Sequence, residues 1–295
     1  MEASILIVSR NRRTELSRTL KILHRYVDEE VHEIRVFLDG CTDDSESLKQ
    51  EFPEVHWMYS EKRLGASRAR NVLYKTARGN LLFGFDDDAH PLQSDFIKRS
   101  EKLFKEYPKL AIIGFKEIKG NWSSDNDIPL ELIKVQPDFL VNDFVGCGFV
   151  IKKSIYDETR GFPAWIDIYG EEWCVALEVL EKGYNILYTY SIQVNHRIEK
   201  TKRGKEANYF RFGKQLKNTS YFYMVYYPFP LFLKKIFRLY ILNFKKYGLK
   251  DRKFFQKFWV TMFENVLNLR KIWKERNPVH PNTLATFNNL SKPLY

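Results

Sequence analysis

The first 115 residues alternate short apolar runs with amphipathic stretches. The apolar runs have the length of buried strands and lie at residues 4–9, 34–38, 55–59 and 80–85. Apolar residues at helical spacing lie at residues 14–27, 65–78 and 93–106. A strand that is apolar on both faces belongs inside a sheet with helices on both sides. The alternation therefore predicts an α/β fold with a doubly wound, mostly parallel sheet.

The fourth apolar run ends abruptly in three carboxylates, Asp86, Asp87 and Asp88. Ligands of parallel sheets collect at the carboxyl ends of the strands. Three adjacent acids repel one another unless a cation lies among them, and hard oxygen ligands suit Mg²⁺ or Mn²⁺. In an extended segment Asp86 and Asp88 share a face, and Asp87 points away. We therefore predict a metal–diphosphate site at Asp88 and Asp86, with a solvated acidic turn as the alternative.

Polar side chains also follow the first two strands. Ser9 and Asn11 follow the first strand, and Asp39 follows the second. If these strands are neighbours of the acidic strand, the three ends converge on one crevice. Asp39 could accept a hydrogen bond from a base or a ribose, and Arg68 or Arg70 could neutralise phosphate charge. An ordinary Asp-Gly turn and a solvated helix face are the alternatives.

Four motifs occur in a characteristic order along the chain. They are Ile7-Val8-Ser9-Arg10-Asn11-Arg12, Asp39-Gly40-Cys41-Thr42-Asp43-Asp44-Ser45, Gly65-Ala66-Ser67-Arg68-Ala69-Arg70-Asn71 and Asp86-Asp87-Asp88. In this order they resemble family 2 glycosyltransferases with the nucleotide-sugar-binding GT-A fold. The resemblance covers residues 1–200 and implies an inverting enzyme that uses a nucleotide-sugar, most commonly a UDP-sugar, with Mn²⁺ or Mg²⁺.

The resemblance also implies roles for single residues. Asp39 would bind the nucleotide base, and Arg70 would lie near the diphosphate. Asp86 and Asp88 would be the outer acids of the Asp-x-Asp motif, with Asp88 as the metal ligand. The family often has Asn where this chain has Arg63. The candidate donor-binding residues are Ser9, Asn11, Asp39, Gly65, Arg70, Asp86 and Asp87.

Residues 116–200 are expected to form the acceptor half of the catalytic domain. Glu171 and Glu172 open a helix, where the dipole favours acids in any case. Transfer to a hydroxyl needs a base, and the family places a Glu-Asp pair here, with the second acid as the base. This chain has Glu172 instead of that Asp, so Glu172 is predicted as the base and Glu171 as the reserve candidate.

His196 follows a strand-like segment at residues 185–194. Some members of the family carry a metal-binding histidine at the end of this strand. The resemblance therefore makes His196 a candidate third metal ligand beside Asp86 and Asp88, and a structural histidine is the alternative.

The composition changes after residue 196. Residues 197–276 contain 21 Lys/Arg and 5 Asp/Glu, a balance of +16, whereas the remaining residues have 27 against 32, a balance of −5. Helical patterns lie at residues 209–227, 231–247 and 251–276, and residues 200–205 are expected to form a loop over the site. We divide the chain into a catalytic domain at 1–200, whose nucleotide-binding half is 1–115, and a basic helical extension at 201–295.

We consider three roles for this extension, namely packing on the catalytic domain, binding to a membrane surface and binding to nucleic acid. Its apolar faces could pack on the catalytic domain, or aromatic and basic side chains could bind an anionic membrane surface. Nucleic acid is disfavoured because no nucleic-acid-binding motif accompanies the charge. We expect partial packing combined with membrane-surface contact.

The remaining features bear on compartment and on function class. Three distant cysteines, Cys41, Cys147 and Cys174, indicate a reducing compartment, and no apolar run reaches the length of a membrane span. We expect a cytoplasmic enzyme, peripheral on the inner membrane face, that glycosylates a saccharide or lipid-linked saccharide in bacterial surface polysaccharide or glycolipid assembly. The alternative is a non-catalytic nucleotide-sugar-binding or membrane-associated scaffold. A nucleotidyltransferase is disfavoured because its glycine-rich loop after the first strand is missing.

Overall fold

The computed structural model describes residues 1–198 and 205–294. Its strands are β1 Ala3–Ser9, β2 Glu33–Asp39, β3 His56–Ser60, β4 Leu81–Asp86, β5 Ala89–Pro91, β6 Leu110–Lys119, β7 Phe139–Leu140, β8 Gly148–Lys152 and β9 Asn185–His196. Its α-helices are α1 Arg13–Tyr26, α2 Leu48–Glu51, α3 Ala66–Lys75, α4 Phe96–Glu106, α5 Lys153–Tyr156, α6 Glu171–Glu181, α7 Lys205–Tyr226, α8 Leu231–Asn243, α9 Arg252–Leu267, α10 Leu269–Lys274 and α11 Pro281–Asn289. The predicted loop at 200–205 lies outside the described residues, except for Lys205.

All nine strands belong to one sheet, in the order β3-β2-β1-β4-β8-β6-β9-β5, with β7 paired to β9. Strands β1, β2, β3, β4, β6 and β9 run in one direction, and β5, β7 and β8 run in the other. The predicted α/β fold with a mostly parallel sheet is therefore confirmed. The apolar runs form the strands because both of their faces are buried, as for Ile5 and Ile7 of β1 and Phe83 and Phe85 of β4.

Strand β1 lies between β2 and β4, and the three run parallel. Ser9 is paired with Leu38, and Val8 is paired with Asp86. The carboxyl ends of these strands therefore lie side by side at one edge of the sheet. This register brings Ser9, Asp39 and Asp86 to adjacent strand ends, as the sequence predicts for neighbouring strands.

A buried carboxylate lies at the other end of these strands. It belongs to Glu33, the first residue of β2, whose side chain is 1% exposed. It accepts hydrogen bonds from the Ser4 hydroxyl at 2.6 Å and the Arg78 backbone amide at 2.7 Å, and it pairs with Arg35 at 3.1 Å. Burial raises the pKa of Glu33, but these hydrogen bonds and the Arg35 charge outweigh it and lower the pKa to about 2. The carboxylate is thus stabilised in its ionised form.

We expect Glu33→Gln to lower the free energy of unfolding at neutral pH by about 3 kcal/mol. The native pKa lies below the unfolded value of 4.5. The stabilisation is therefore complete above pH 4.5 and decreases as the pH falls towards 2. Urea denaturation across this range should show wild type and variant converging in acid. The exposed Glu30→Gln is the matched control and should follow wild type at every pH; a Glu33→Gln deficit that is constant with pH would contradict the assignment.

The helical extension packs on the catalytic domain through a cluster of buried apolar residues. Helix α6 contributes Cys174 and Leu177, and helix α7 contributes Phe222 and Val225. Ile272 of α10 and Leu284 of α11 belong to the same cluster. In addition, Asn142 Nδ2 donates to the Phe287 carbonyl at 2.7 Å, and Val141 bridges to Ser291. The last helices therefore return to the sheet.

The helical pattern predicted over 251–276 forms two consecutive helices in the structure. Helix α9 ends at Leu267, and α10 begins at Leu269, with Asn268 between them. The Nδ2 atom of Asn268 donates to the Glu264 carbonyl at 2.7 Å, so its side chain interacts with the end of α9. Among the described helices, none is long and apolar enough to cross a membrane.

Candidate active site

Asp86 is the last residue of β4, and Asp87 and Asp88 form the turn that follows it. Asp87 is buried, accepts a hydrogen bond from the Ser9 hydroxyl at 2.7 Å, and its backbone carbonyl accepts one from Thr19 at 2.8 Å. Asp86 and Asp88 turn the other way, towards His196. Asp87 therefore fixes the turn, whereas Asp86 and Asp88 lie close to His196.

His196, the last residue of β9, completes a possible metal-binding group. One ligand atom from each of Asp86, Asp88 and His196 lies within 4.8 Å of the others. His196 Nε2 is 3.3 Å from Asp88 Oδ1, a buried atom that has no hydrogen bond. His196 Nδ1 lies 2.5 Å from Glu117 Oε1 on β6. A carboxylate behind a histidine fixes the ring and directs the other nitrogen to a metal, so these residues fit a divalent ion.

The protonation states follow from the same contacts. Burial raises the pKa of Asp88, but His196 and Arg12 outweigh it and lower that pKa to about 2. Burial lowers the pKa of His196, but Asp88, Cys147 and Glu117 raise it above its usual range. A metal ligand must be deprotonated, so a divalent ion bound there would displace the Nε2 proton of His196. Burial, assisted by the charge of Asp88, raises the pKa of Asp87 to about 7, against the opposing effect of Arg12. The carboxyl group of Asp88 is thus ionised at neutral pH.

Arg70 of α3 connects the acidic motif to the start of α6. Its guanidinium donates to Asp86 Oδ1 at 2.9 Å, to Glu172 Oε1 at 2.8 Å and to the Gly146 carbonyl at 3.0 Å. A Cβ at Gly146 would lie 2.2 Å from Glu172 Oε1, so the absent side chain leaves room for this pair. The sequence places Arg70 near a diphosphate; in the structure it is a buried bridge between carboxylates.

The two glutamates at the start of α6 have different surroundings. Glu171 is buried, and its Oε2 atom has no hydrogen bond. Burial, together with the charge of Glu172, raises the pKa of Glu171 to about 8, although Arg70 acts in the opposite direction. Glu172 lines a cavity of about 640 Å³ between the catalytic domain and the helical extension. Of the two, Glu172 is the carboxylate that an acceptor could reach.

The residues predicted to bind the nucleotide form hydrogen bonds with neighbouring loops of the protein. Asp39 is buried and accepts the backbone amides of Leu64 at 2.5 Å and Gly65 at 2.9 Å. Gly65 has a φ of +96°, and a Cβ there would meet the Asp167 backbone at 2.9 Å, so glycine is required. Asn11 accepts the Thr42 amide at 2.7 Å. Ser9, Asn11, Asp39 and Gly65 therefore shape the loops around the crevice.

Two residues of this site are missed by sequence reasoning. Arg12 pairs with Asp87 at 3.1 Å and Asp88 at 2.5 Å, and Glu117 supports His196. The position of Arg12, at the end of β1 where strand ends converge, is a signal that could have found it. No sequence signal marks Glu117, because it lies within the long strand β6, and only the pairing of β6 with β9 brings it to His196.

Comparison with known proteins places this geometry in a family. The profile described as "Glycosyl transferase family 2" matches residues 4–160, more than half of the chain. No curated protein matches the chain. The solved structures that match have low sequence identity, so they bear on the fold alone.

Three of these solved structures illustrate the fold. S. aureus TarS 1-349 in complex with UDP-GlcNAc has a TM-score of 0.60 and 13% identity, over 97% of this chain and 80% of that chain. The mannosyltransferase PcManGT from Pyrobaculum calidifontis, in complex with GDP-Man and Mn²⁺, has a TM-score of 0.57 and 14% identity, over 97% and 78%. GalNAc-T7 with UDP, GalNAc and Mn²⁺ has a TM-score of 0.55 and 16% identity, over 75% of this chain and 50% of that chain. This chain thus aligns with only half the length of GalNAc-T7.

The profile match, the sheet order and the neighbouring folds agree with one another. The chain belongs to glycosyltransferase family 2 and is a glycosyltransferase with the GT-A fold.

Proposed function

We propose that the protein is an inverting, metal-dependent glycosyltransferase that moves a sugar from a UDP-sugar to a hydroxyl of a saccharide or lipid-linked acceptor. One observation carries this proposal. Three ligand atoms of Asp86, Asp88 and His196 lie within 4.8 Å of one another, and Arg70 hydrogen-bonds to both Asp86 and Glu172. A donor site and a base are therefore adjacent. The family assignment favours this function over a non-catalytic scaffold.

The donor set indicates which ion would be held. Two carboxylates are hard ligands that suit Mg²⁺ or Mn²⁺, whereas an imidazole nitrogen suits a transition metal. The mixed set of Asp86, Asp88 and His196 favours Mn²⁺ over Mg²⁺. A divalent ion held there would neutralise the charge that develops on the departing diphosphate.

The protein's own groups would perform the remaining steps. Glu172 would accept the proton of the acceptor hydroxyl, while Arg70 holds its carboxylate in place at 2.8 Å. The hydroxyl oxygen would bond to the anomeric carbon as the bond to the diphosphate breaks, which inverts that centre. Ser9, Asn11, Asp39 and Gly65 would shape the nucleotide pocket, with the base near Asp39.

The cavity beside Glu172 is the proposed acceptor site. Aromatic rings of Trp173, Tyr223 and Tyr227 and the cations Arg211 and Lys235 line it. Flat aromatic faces can cover the apolar face of a sugar ring. We propose that the acceptor enters between the catalytic domain and α7–α8, at the cytoplasmic face of the membrane, in surface polysaccharide or glycolipid assembly.

A panel of nucleotide-sugars tests the donor assignment through thermal stability. A UDP-sugar at 100 times its Kd should stabilise the protein by about 2.7 kcal/mol and raise its Tm by several degrees. The rise should be larger with Mn²⁺ than with Mg²⁺ or with chelator. Stabilisation by GDP-mannose but by no UDP-sugar would contradict the nucleotide assignment, and a metal-independent rise would contradict the metal site.

A further inference from the structure

Helices α8 and α9 expose a row of large apolar side chains away from the protein. On α8 they are Phe237 and Ile241, and on α9 they are Trp259, Phe263 and Leu267. Phe237 is 70% exposed, Phe263 is 63% exposed and Leu267 is 83% exposed. We call these five residues the outer face. Apolar side chains exposed in such a group mark an interaction surface.

The opposite sides of both helices are already packed. Phe258 of α9 is buried, clusters with Phe212 of α7 and contacts Tyr240 of α8, with 5.6 Å between the Tyr240 and Phe258 ring centres. Asn265 Nδ2 donates to the Tyr240 hydroxyl at 2.6 Å. Helices α8 and α9 both pack on α7, and Tyr240 of α8 contacts Phe258 and Asn265 of α9. The outer face therefore consists of side chains that these packed sides leave exposed.

The aromatic residues of α9 divide between its two sides. Phe258 is buried, whereas Trp259 and Phe263 are exposed. The buried side instead includes two polar residues, Thr261 and Asn265. A helix that buries polar residues and exposes aromatic ones has an apolar face directed to the outside of the protein. Such a face is expected to contact a partner.

The charge around the outer face indicates the partner. Residues 231–274 contain 12 Lys/Arg and only 2 Asp/Glu. Lys234, Arg238, Lys250 and Arg252 are exposed on or between the two helices. Protein–protein interfaces are depleted in lysine at their cores. Phe, Trp and Leu combined with Lys and Arg are instead the composition of helices that lie in a membrane interface.

We propose that the outer face docks on an anionic lipid bilayer, with α8 and α9 lying in the plane of the interface. The apolar side chains would enter the acyl boundary while the surrounding cations contact lipid headgroups. Each cation near the surface should contribute roughly fivefold to the partition coefficient. This docking does not depend on which sugar is transferred. It would hold the acceptor cavity near the bilayer, because α8 also supplies Lys235 to that cavity.

Flotation of the full chain with vesicles tests the proposal. Wild type should float with phosphatidylglycerol–phosphatidylcholine vesicles at low salt, and weakly with pure phosphatidylcholine. The Phe237→Gln, Phe263→Gln, Leu267→Gln triple variant should lose at least about 100-fold in partition coefficient. Brominated lipid should quench tryptophan fluorescence in wild type, and the quenching should decrease strongly in Trp259→Phe.

Matched variants separate this surface from general apolar exposure. Leu130 and Val135 are 76% and 71% exposed on the catalytic domain. The Leu130→Gln, Val135→Gln variant should float like wild type, and circular dichroism should show all variants folded. Equal flotation of the triple variant and wild type would overturn the proposal. A concentration-dependent dimer that the triple variant loses would assign the face to a second copy of the chain instead.

Discussion

The Asp88→Asn variant should lose about 10³-fold or more in transfer rate. Asp88 supplies a buried carboxylate oxygen without a hydrogen bond, 3.3 Å from His196 Nε2. Metal stabilisation of a leaving group is worth several kcal/mol, and each 1.36 kcal/mol is a factor of ten in rate. The measurement is the rate of transfer or of donor hydrolysis at saturating Mn²⁺.

A binding measurement distinguishes loss of the ion from loss of the fold. Electron paramagnetic resonance of free Mn²⁺ should show strong binding by wild type and little by Asp88→Asn. Asp95→Asn is the matched control, because Asp95 is half exposed, pairs with Arg99 on α4 and lies outside the metal-binding group. A variant at Asp88 that binds Mn²⁺ and turns over like the Asp95 control would refute the metal assignment.

Glu172→Gln should lower kcat by about 10²–10⁴-fold, since that is the usual contribution of a general base. The amide oxygen of Gln can still accept from Arg70, so the site should keep its shape. We therefore expect nucleotide-sugar and Mn²⁺ to stabilise this variant against heat as they do wild type. Glu172→Asp should keep partial activity, because the shorter carboxylate can still accept a proton.

Glu171→Gln is the matched comparison on the same helix. The pKa of Glu171 is raised to about 8, so its carboxyl is mostly protonated at pH 7 and Gln is a close mimic. We expect less than a tenfold effect on transfer at that pH. If Glu171→Gln abolished transfer while Glu172→Gln retained it, the base would be Glu171, the reserve candidate from the sequence.

The raised pKa of Glu171 also makes the folding stability of the protein depend on pH. An unfolded glutamate loses its proton near pH 4.5, whereas the native one keeps it until about pH 8. The native state therefore binds more protons between these values, and stability falls as pH rises through the window. The Glu171→Gln variant has no titratable group at this position. Its free energy of unfolding should therefore decrease less than that of wild type over the same pH range.

Part of the site could be predicted because its polar residues directly follow apolar runs that form strands. The alternation of an extended chain predicted that Asp86 and Asp88 share a face and that Asp87 points away. In the structure Asp87 contacts Ser9, and Asp86 and Asp88 lie near His196. Apolar runs with polar residues directly behind them determined that Ser9 and Asp39 would lie at the same edge. The alternation is a local property, whereas the proximity of Ser9 and Asp39 depends on β1 and β2 being parallel neighbours in the sheet.

The division of α9 could not be predicted from its sequence. Aromatic residues occur on both sides of this helix, so periodicity alone cannot choose the buried one. Packing against Phe212 and Tyr240 selects Phe258 for burial and leaves Trp259 and Phe263 exposed. The excess of basic residues in the sequence predicts membrane-surface contact, and this contact stays a prediction.

The sequence by itself determined the family, the parallel core of the sheet and the acids at its edge. Only the tertiary structure decided how distant groups meet: β9 carries His196 to Asp88, β6 places Glu117 behind it, and Arg70 joins Asp86 to Glu172. The physical reason is the range of each interaction. Strand alternation and strand-end chemistry act over a few residues, whereas pairing of β6 with β9 and burial of Arg70 depend on the whole sheet having formed.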